Sequence, residues 1–275
     1  MAQQARTTLI LGGTGKTGRR VADRLGARGV PVRIASRNGS PAFDWEQPET
    51  WAAQLAGVKA VYLAYYPDLA VPEAEPHIRN FTQLAARSGV EHLVLLSGRG
   101  EPEVLASERA VHESGVAWTT LRAAWFCQNF SEGAFREQVL GGELPFPGGN
   151  TPEPFLDIDD LAEVAERVLT EPGHLGQTYE LTGPEPITFA RALDVLSGIV
   201  GVSVRYVPVS TDEYTSILSN FYPPEFARLL ADLFGRLLDG HNAHSTGTVE
   251  QLLGRKPRDF ESFARAAAAA GAWAR

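Results

Sequence analysis

The residue types best suited to chemistry stand close together near the start of the chain, in LILGGTGKTGRR. Gly13, Gly15 and Gly18 satisfy Gly-x-Gly-x-x-Gly, between an apolar β-rich run over 7–11 and a helical pattern over 19–28 that carries Val21, Ala22 and Leu25. Glycines in that setting let the backbone turn tightly and approach a pyrophosphate, whose charge meets free amides and the positive end of the helix dipole. Gly12, Gly13, Thr14, Gly15, Lys16, Thr17 and Gly18 therefore form a candidate dinucleotide cradle. Gly15-Lys16-Thr17 also resembles the close of a nucleoside-triphosphate loop, but that motif puts glycine where Ile10 stands.

The cofactor type is read at the end of the second strand, where an acid bonds the ribose hydroxyls and an arginine accommodates a 2′-phosphate. The chain reads RIASRNG there, with no acid between Asp23 and Asp44. Arg37, backed by Ser36 and Lys16, thus favours NADP(H). Asp44 in AFDWEQPE, read as following a third short strand, is a candidate partner for the adenine amino group or a cap for the next helix.

Ligands of open α/β sheets lie beyond the carboxyl ends of the strands. The fourth strand end reads Ala64-Tyr65-Tyr66-Pro67, the fifth Ser97-Gly98-Arg99, and the sixth runs into Arg122-Ala123-Ala124-Trp125-Phe126. Ala64, Tyr65 and Ser97 are candidate cofactor contacts. Tyr66, Arg99, Trp125, Phe126, Asn129 and Phe130 are candidate contacts for a planar or hydrophobic substrate, with packing beneath a second lobe as the alternative for Trp125 and Phe126. Ser97, Tyr65 and Tyr66 are the candidate catalytic side chains. Three other groups promise less: His241 and His244 lack a third ligand for zinc, Cys127 has no local histidine and reads as a buried small residue, and Asp157, Asp159 and Asp160 precede a helical run that they would cap.

Strands alternate with helices: strands near 31–36, 58–64, 92–97 and 116–121, helices near 48–56, 73–87 and 104–113. That rhythm predicts right-handed crossovers and a doubly wound, Rossmann-like parallel sheet over residues 1–145. Past Gly141 the segment GGELPFPGGNTPEP reads as unable to hold a regular element. A smaller mixed α/β lobe is expected over 146–275, with segments returning to the first domain. Its elements are read as a helix near 159–170, a strand near 177–181, a helix near 188–200, a strand near 202–207, and helices to the end.

Composition bounds the function. With 275 residues, 44% of them hydrophobic, the chain has ample material for a core. A net charge of −8 supplies no cation excess for nucleic acid or anionic membrane. The single cysteine precludes an internal disulfide. No leader or membrane span is read, so a cytoplasmic protein is expected.

Taken together, GGTGKTG, SRNG, LAGVKAVYLA, HLVLLS, SERAVHESGVAWTTLRAAWFCQNF, FLDIDDLAEVAERVLTEPGHLGQTYELTGPEPITF, VRYVPVS and LLGRKPRDFESFA resemble the NmrA-like group of atypical short-chain dehydrogenases/reductases over nearly the whole chain. The resemblance implies NADP(H) along Gly12–Gly18 and Arg37, and a C-terminal lobe closing a substrate cleft. Ordinary members of the wider group use a Tyr-x-x-x-Lys pair, in which lysine makes the tyrosine a better proton donor. Here GRGEPEVLASERAVHE follows Ser97, with neither residue. The expected activity is hydride transfer from NADPH to a quinone, enone, imine or carbonyl, the proton coming from water or from the substrate itself. The alternative is a non-catalytic NADP(H)-sensing regulator. Substrate identity and oligomeric state are not legible.

Overall fold

The computed structural model describes residues 6–133 and 135–274; residues 1–5, read above for a leader, lie outside them. Among the described residues the strands, in chain order, are β1 (Thr7–Ile10), β2 (Val32–Ile34), β3 (Val58–Leu63), β4 (His92–Gly98), β5 (Ala117–Ala123), β6 (Glu143–Phe146), β7 (Pro152–Glu153), β8 (Gln177–Leu181), β9 (Ile187–Thr188) and β10 (Arg205–Pro208). The chain forms two compact units: Met1–Ala123 with Ile158–Leu181, and Ala124–Asp157 with Thr182–Arg275. The changeover falls at Ala123, upstream of the Gly/Pro-rich stretch, and both the helix and the strand of 158–181 belong to the first unit.

The first unit is a six-stranded sheet in the order β2-β1-β3-β4-β5-β8, every neighbouring pair parallel. A parallel sheet covered on both faces needs continuous apolar runs. Leu9, Ile10 and Leu11, Val61, Tyr62 and Leu63, and Leu93, Val94 and Leu95 provide them, all fully buried. The helices Lys16–Ala27 and Ile158–Thr170 pack as one flanking pair, Ala74–Arg87 and Leu105–His112 as another. Charge draws the first pair together: Arg20 meets Asp159 at 2.8 Å, Arg24 meets Glu166 at 2.6 Å, and Arg28 meets the same Glu166 carboxylate. Their spacing of four residues puts all three arginines on one helix face. The doubly wound, Rossmann-like sheet expected from the sequence is thus present, and its order reverses between β1 and β3, the position at which such sheets open a ligand crevice.

One expected strand is absent. Residues 41–44 make no ladder, because side chains satisfy their backbone instead. Trp51 Nε1–H donates to the Asp44 carbonyl at 2.7 Å, the Asp44 N–H donates to Thr50 Oγ1 at 3.1 Å, and Gln54 Nε2 donates to the Pro41 carbonyl at 2.6 Å. The segment drops Phe43 and Trp45 into an aromatic cluster with Trp51 and Phe81, leaving β2 as the sheet edge.

The second unit corrects another expectation, since the Gly/Pro-rich segment holds two strands: β6 pairs parallel with β10, and β7 antiparallel with β9. Pro145 is tolerated because Arg205 and Val209 N–H groups donate to the Gly142 and Phe146 carbonyls. The even-numbered residues therefore face the partner, and the proline nitrogen lies on the open edge. Beneath these strands Phe130, Phe146 and Phe189 are fully buried, with Phe146 and Phe189 centroids 4.9 Å apart. Helices follow to the C-terminus, one capped by Ser210 and Glu213 reciprocally and the last by Asp259, which accepts from Ser262 N–H at 2.7 Å.

Candidate active site

The glycine loop after β1 is open to solvent: Gly12, Thr14 and Gly15 are exposed. Gly12 has φ +65°, and a Cβ there would lie 3.2 Å from both the Cβ and the carbonyl oxygen of Ala64 at the end of β3. Gly18 is needed for close approach, since a Cβ would meet the Gly12 carbonyl oxygen at 2.3 Å. At Gly15 the only neighbour within 4 Å of an added Cβ is the Gly12 oxygen, so its outer face is backbone. Gly15 caps the helix Lys16–Ala27 without a side-chain bond, and no acid stands in the first turn. The helix start therefore keeps its positive end for an anion. Thr17 is buried, beside the Tyr62 hydroxyl.

At the end of β2, Ser36 accepts from the Phe43 N–H at 2.9 Å through its carbonyl. Arg37 is exposed, its guanidinium 5.8 Å from the Tyr66 ring centroid. Asp44 Oδ1 accepts from the Glu46 N–H at 3.1 Å, a local turn rather than a helix cap. Beyond β3, Ala64 lines the loop, Tyr66 is 67% exposed, and Tyr65 is half-buried, its ring 4.9 Å from Trp45. The Tyr65 hydroxyl and His77 Nδ1 share a hydrogen bond at 2.8 Å. Burial, reinforced by Glu46 and Glu73, pushes the Tyr65 phenol up to about 12, the opposite of what a neighbouring lysine does for a reductase tyrosine.

The end of β4 is more crowded. Ser97 is buried and its hydroxyl donates to Glu108 Oε1 at 2.7 Å. Arg122 on β5 clamps the same carboxylate from Nε at 2.9 Å and from Nη2 at 2.6 Å. The Ser97 hydroxyl proton is thus committed, and toward a ligand the oxygen is an acceptor. Arg99 is buried too, with Nε 3.2 Å from Glu180 on β8. Sequence reasoning registered only the missing tyrosine and lysine in this stretch and overlooked Glu101 and Glu108. Glu101 folds its carboxyl back onto Gly98: a Cβ at that glycine would stand 2.1 Å from Glu101 Cδ. Burial first, then Asp68, Glu103 and Glu108, pushes Glu101 up to about 8. The run of acids in EPEVLASE was the available signal.

The remaining candidates belong to the second unit. Trp125 is half-buried against Phe135, Phe146, Phe189 and Phe234. Phe126 is half-buried and bridges to Leu156. Asn129 is half-buried, its carbonyl accepting from the Phe135 N–H at 3.1 Å. Phe130 and Cys127 are fully buried in the hydrophobic core, and the Phe130 carbonyl accepts from Trp273 Nε1–H at 2.9 Å.

No protein-family model matches the chain. It is, however, 32% identical over 274 residues to the uncharacterized oxidoreductase YesF of Bacillus subtilis, covering 95% of each chain. It is 30% identical over 286 residues to the NAD(P)H azoreductase of Xenophilus azovorans, covering 95% of this chain and 98% of that one. Among solved structures, an NmrA variant superimposes with TM-score 0.71 at 19% identity over 96% of this chain and 95% of that one. The chain belongs to the NmrA-like family of atypical short-chain dehydrogenases/reductases. Another family-sized match in fold is the Escherichia coli NADPH-dependent quinone oxidoreductase complexed with NADPH, with TM-score 0.79 at 23% identity over 94% of this chain and 98% of that one. In this NmrA-like protein, the stretch after β4 presents carboxylates where ordinary short-chain reductases present a tyrosine and a lysine.

Proposed function

We propose that the protein is an NADPH-dependent oxidoreductase that transfers hydride to a small hydrophobic acceptor: a quinone, enone, imine or carbonyl compound. The observation that carries this reading is the exposed glycine loop, which leads into an acid-free, uncapped helix start while an exposed arginine stands at the neighbouring strand end. The cradle fits a dinucleotide, since the positions that must approach a pyrophosphate carry no side chain and the helix end supplies positive potential. Gly12–Gly18 would hold the pyrophosphate, with Lys16 beside it. Arg37 and Ser36 would take the 2′-phosphate, and the Asp44 carboxylate would take the adenine amino group.

When bound, the reduced nicotinamide supplies a hydride. Ser97, whose own proton goes to Glu108, can accept a hydrogen bond from the cofactor's ribose or amide but cannot protonate an acceptor. Related proteins support the acceptor class by the names they carry: one is an azoreductase and another a quinone oxidoreductase.

The test is to titrate the purified protein with NADPH and NADH, then follow NADPH oxidation across quinones, enones and imines. Tighter NADPH binding with turnover of at least one acceptor is expected. A second reading, an NADP(H)-sensing regulator, is favoured by the missing Tyr-Lys pair and the committed Ser97 hydroxyl. Binding without turnover on any acceptor would select it, and no NADPH binding would defeat both.

A further inference from the structure

Four acids gather near the end of β4, and three of them differ from the fourth in how they are held. Glu108 is clamped by Ser97 and Arg122. Asp68, from the segment after β3, accepts from the Ala70 N–H at 2.8 Å. Glu103 lies in the first turn of the helical segment that follows Glu101. Glu101 alone has its carboxyl laid directly over a strand-end glycine, with no hydrogen bond or ion pair to that carboxyl among the described residues.

Gly98 makes this position possible, because a Cβ there would lie 2.1 Å from both Cδ and Oε1 of Glu101. Gly100, at φ +72°, turns the chain back so that Glu101 can reach it. The result is a carboxyl at the carboxyl end of a central strand, on the edge of the sheet where this fold places its ligands. Resting on the functional reading above, we propose that Glu101 is the proton donor of the reductase reaction, occupying the role left open by the missing tyrosine and lysine.

The step balances. The acceptor gains two electrons with the hydride as a new C–H or N–H bond forms. The oxygen or nitrogen on which negative charge develops takes the Glu101 proton as the carboxyl O–H bond breaks. The Glu101 carboxylate then recovers a proton from water, so one acceptor, one NADPH and one proton give the reduced acceptor and NADP+. A carboxyl that faces Asp68, Glu103 and Glu108 with no donor of its own keeps its proton at neutral pH, which an ordinary glutamate does not.

The experiment uses the full chain and Glu101→Gln, with NADPH affinity from fluorescence, turnover on a benzoquinone, and carboxyl titration by 13C-glutamate NMR without cofactor. The Glu101 resonance, assigned by its loss in the variant, is expected to titrate near pH 8. Turnover should fall at least about a hundredfold with NADPH affinity within about threefold, and the alkaline decline of wild-type turnover should disappear. Gly98→Ala, which must push the carboxyl aside, should reproduce the loss in part and move the titration toward the ordinary range near 4.3. A Glu101→Gln protein that turns over within about threefold of wild type with the same pH profile, or a Glu101 midpoint near 4.3 in the wild type, overturns the proposal alone. Wild-type protein that does not bind NADPH overturns the functional reading, and wild type that binds it without turning over any acceptor overturns the assignment of Glu101 while leaving cofactor binding intact.

Discussion

The turns after β1 and after β4 make an instructive pair. Both leave a parallel strand of the same sheet through a left-handed glycine, Gly12 at φ +65° and Gly100 at φ +72°, and both run into a helical segment. The first turn is stripped of side chains and of acid, so what it offers is backbone N–H and the positive end of a 12-residue helix. The second is lined with carboxylates: Glu108, on the helix that follows, is clamped by serine and arginine, and Glu101, in the turn, is left without a donor. One turn presents positive potential, the other gathers carboxylates. The same strand-turn-helix unit thus serves opposite electrostatic ends, and side-chain content of the turn decides which.

Breaking the clamp of the second turn should have the largest effect. Glu108→Ala takes the two-bond partner from the partly buried Arg122 guanidinium, leaving it only Glu180 at 3.9 Å, and the acceptor from the buried Ser97 hydroxyl. A loss of about 3 kcal/mol in stability is expected, as for other broken buried pairs, and chemical denaturation measures it; a change below about 1 kcal/mol would reduce the clamp to a surface pair. Next comes the first turn. Gly15→Val puts a branched side chain on the loop, its Cβ 3.1 Å from the Gly12 carbonyl oxygen, and should weaken NADPH at least about a hundredfold, near 2.7 kcal/mol, with the fold largely retained. Unaltered affinity in the folded variant would remove the loop from the site.

A smaller effect separates the phosphate-recognition parts of the cradle. Arg37→Ala should cost NADPH about ten- to a hundredfold, the worth of a charge-assisted contact, while NADH binding stays constant. Equal losses for both cofactors would make Arg37 a general surface charge. A last test sharpens the comparison through pH. Because the folded protein raises Glu101 above its unfolded value, the protonated carboxyl's contribution is fully present below about pH 4.3 and is lost as pH rises through about 8. Wild type should therefore lose stability relative to Glu101→Gln across that window. A constant difference between pH 4 and 9 in parallel melts would show that Glu101 ionises normally.

Much of the first unit could be read directly. Apolar runs such as Leu9–Leu11 and Leu93–Leu95 mark buried parallel strands, and the glycines of the loop mark backbone approach, because these requirements are local and are met by the residues themselves. The third strand before Asp44 misled for a complementary reason. Its backbone groups are taken by Trp51, Thr50 and Gln54, residues of the next helical segment whose choice of partner no window around 41–44 reveals. The strand β6 went unread because Pro145 looks like a breaker until its nitrogen is known to face the open edge.

By itself, then, the sequence determined the alternation of strands and helices, the glycine loop with its acid-free helix start, and the arginine at the second strand end. Each follows from what a few adjacent residues can and cannot do with their own backbone. Only the tertiary structure decided that 158–181 returns to the first unit, that Ser97 gives its proton to Glu108, and that Glu101 lies over Gly98 without a donor. Those outcomes depend on partners brought from other parts of the chain, Arg20 to Asp159 and Asp68 to Glu101 among them. Desolvation and charge-charge interaction act through distance in space, and distance along the chain does not encode it.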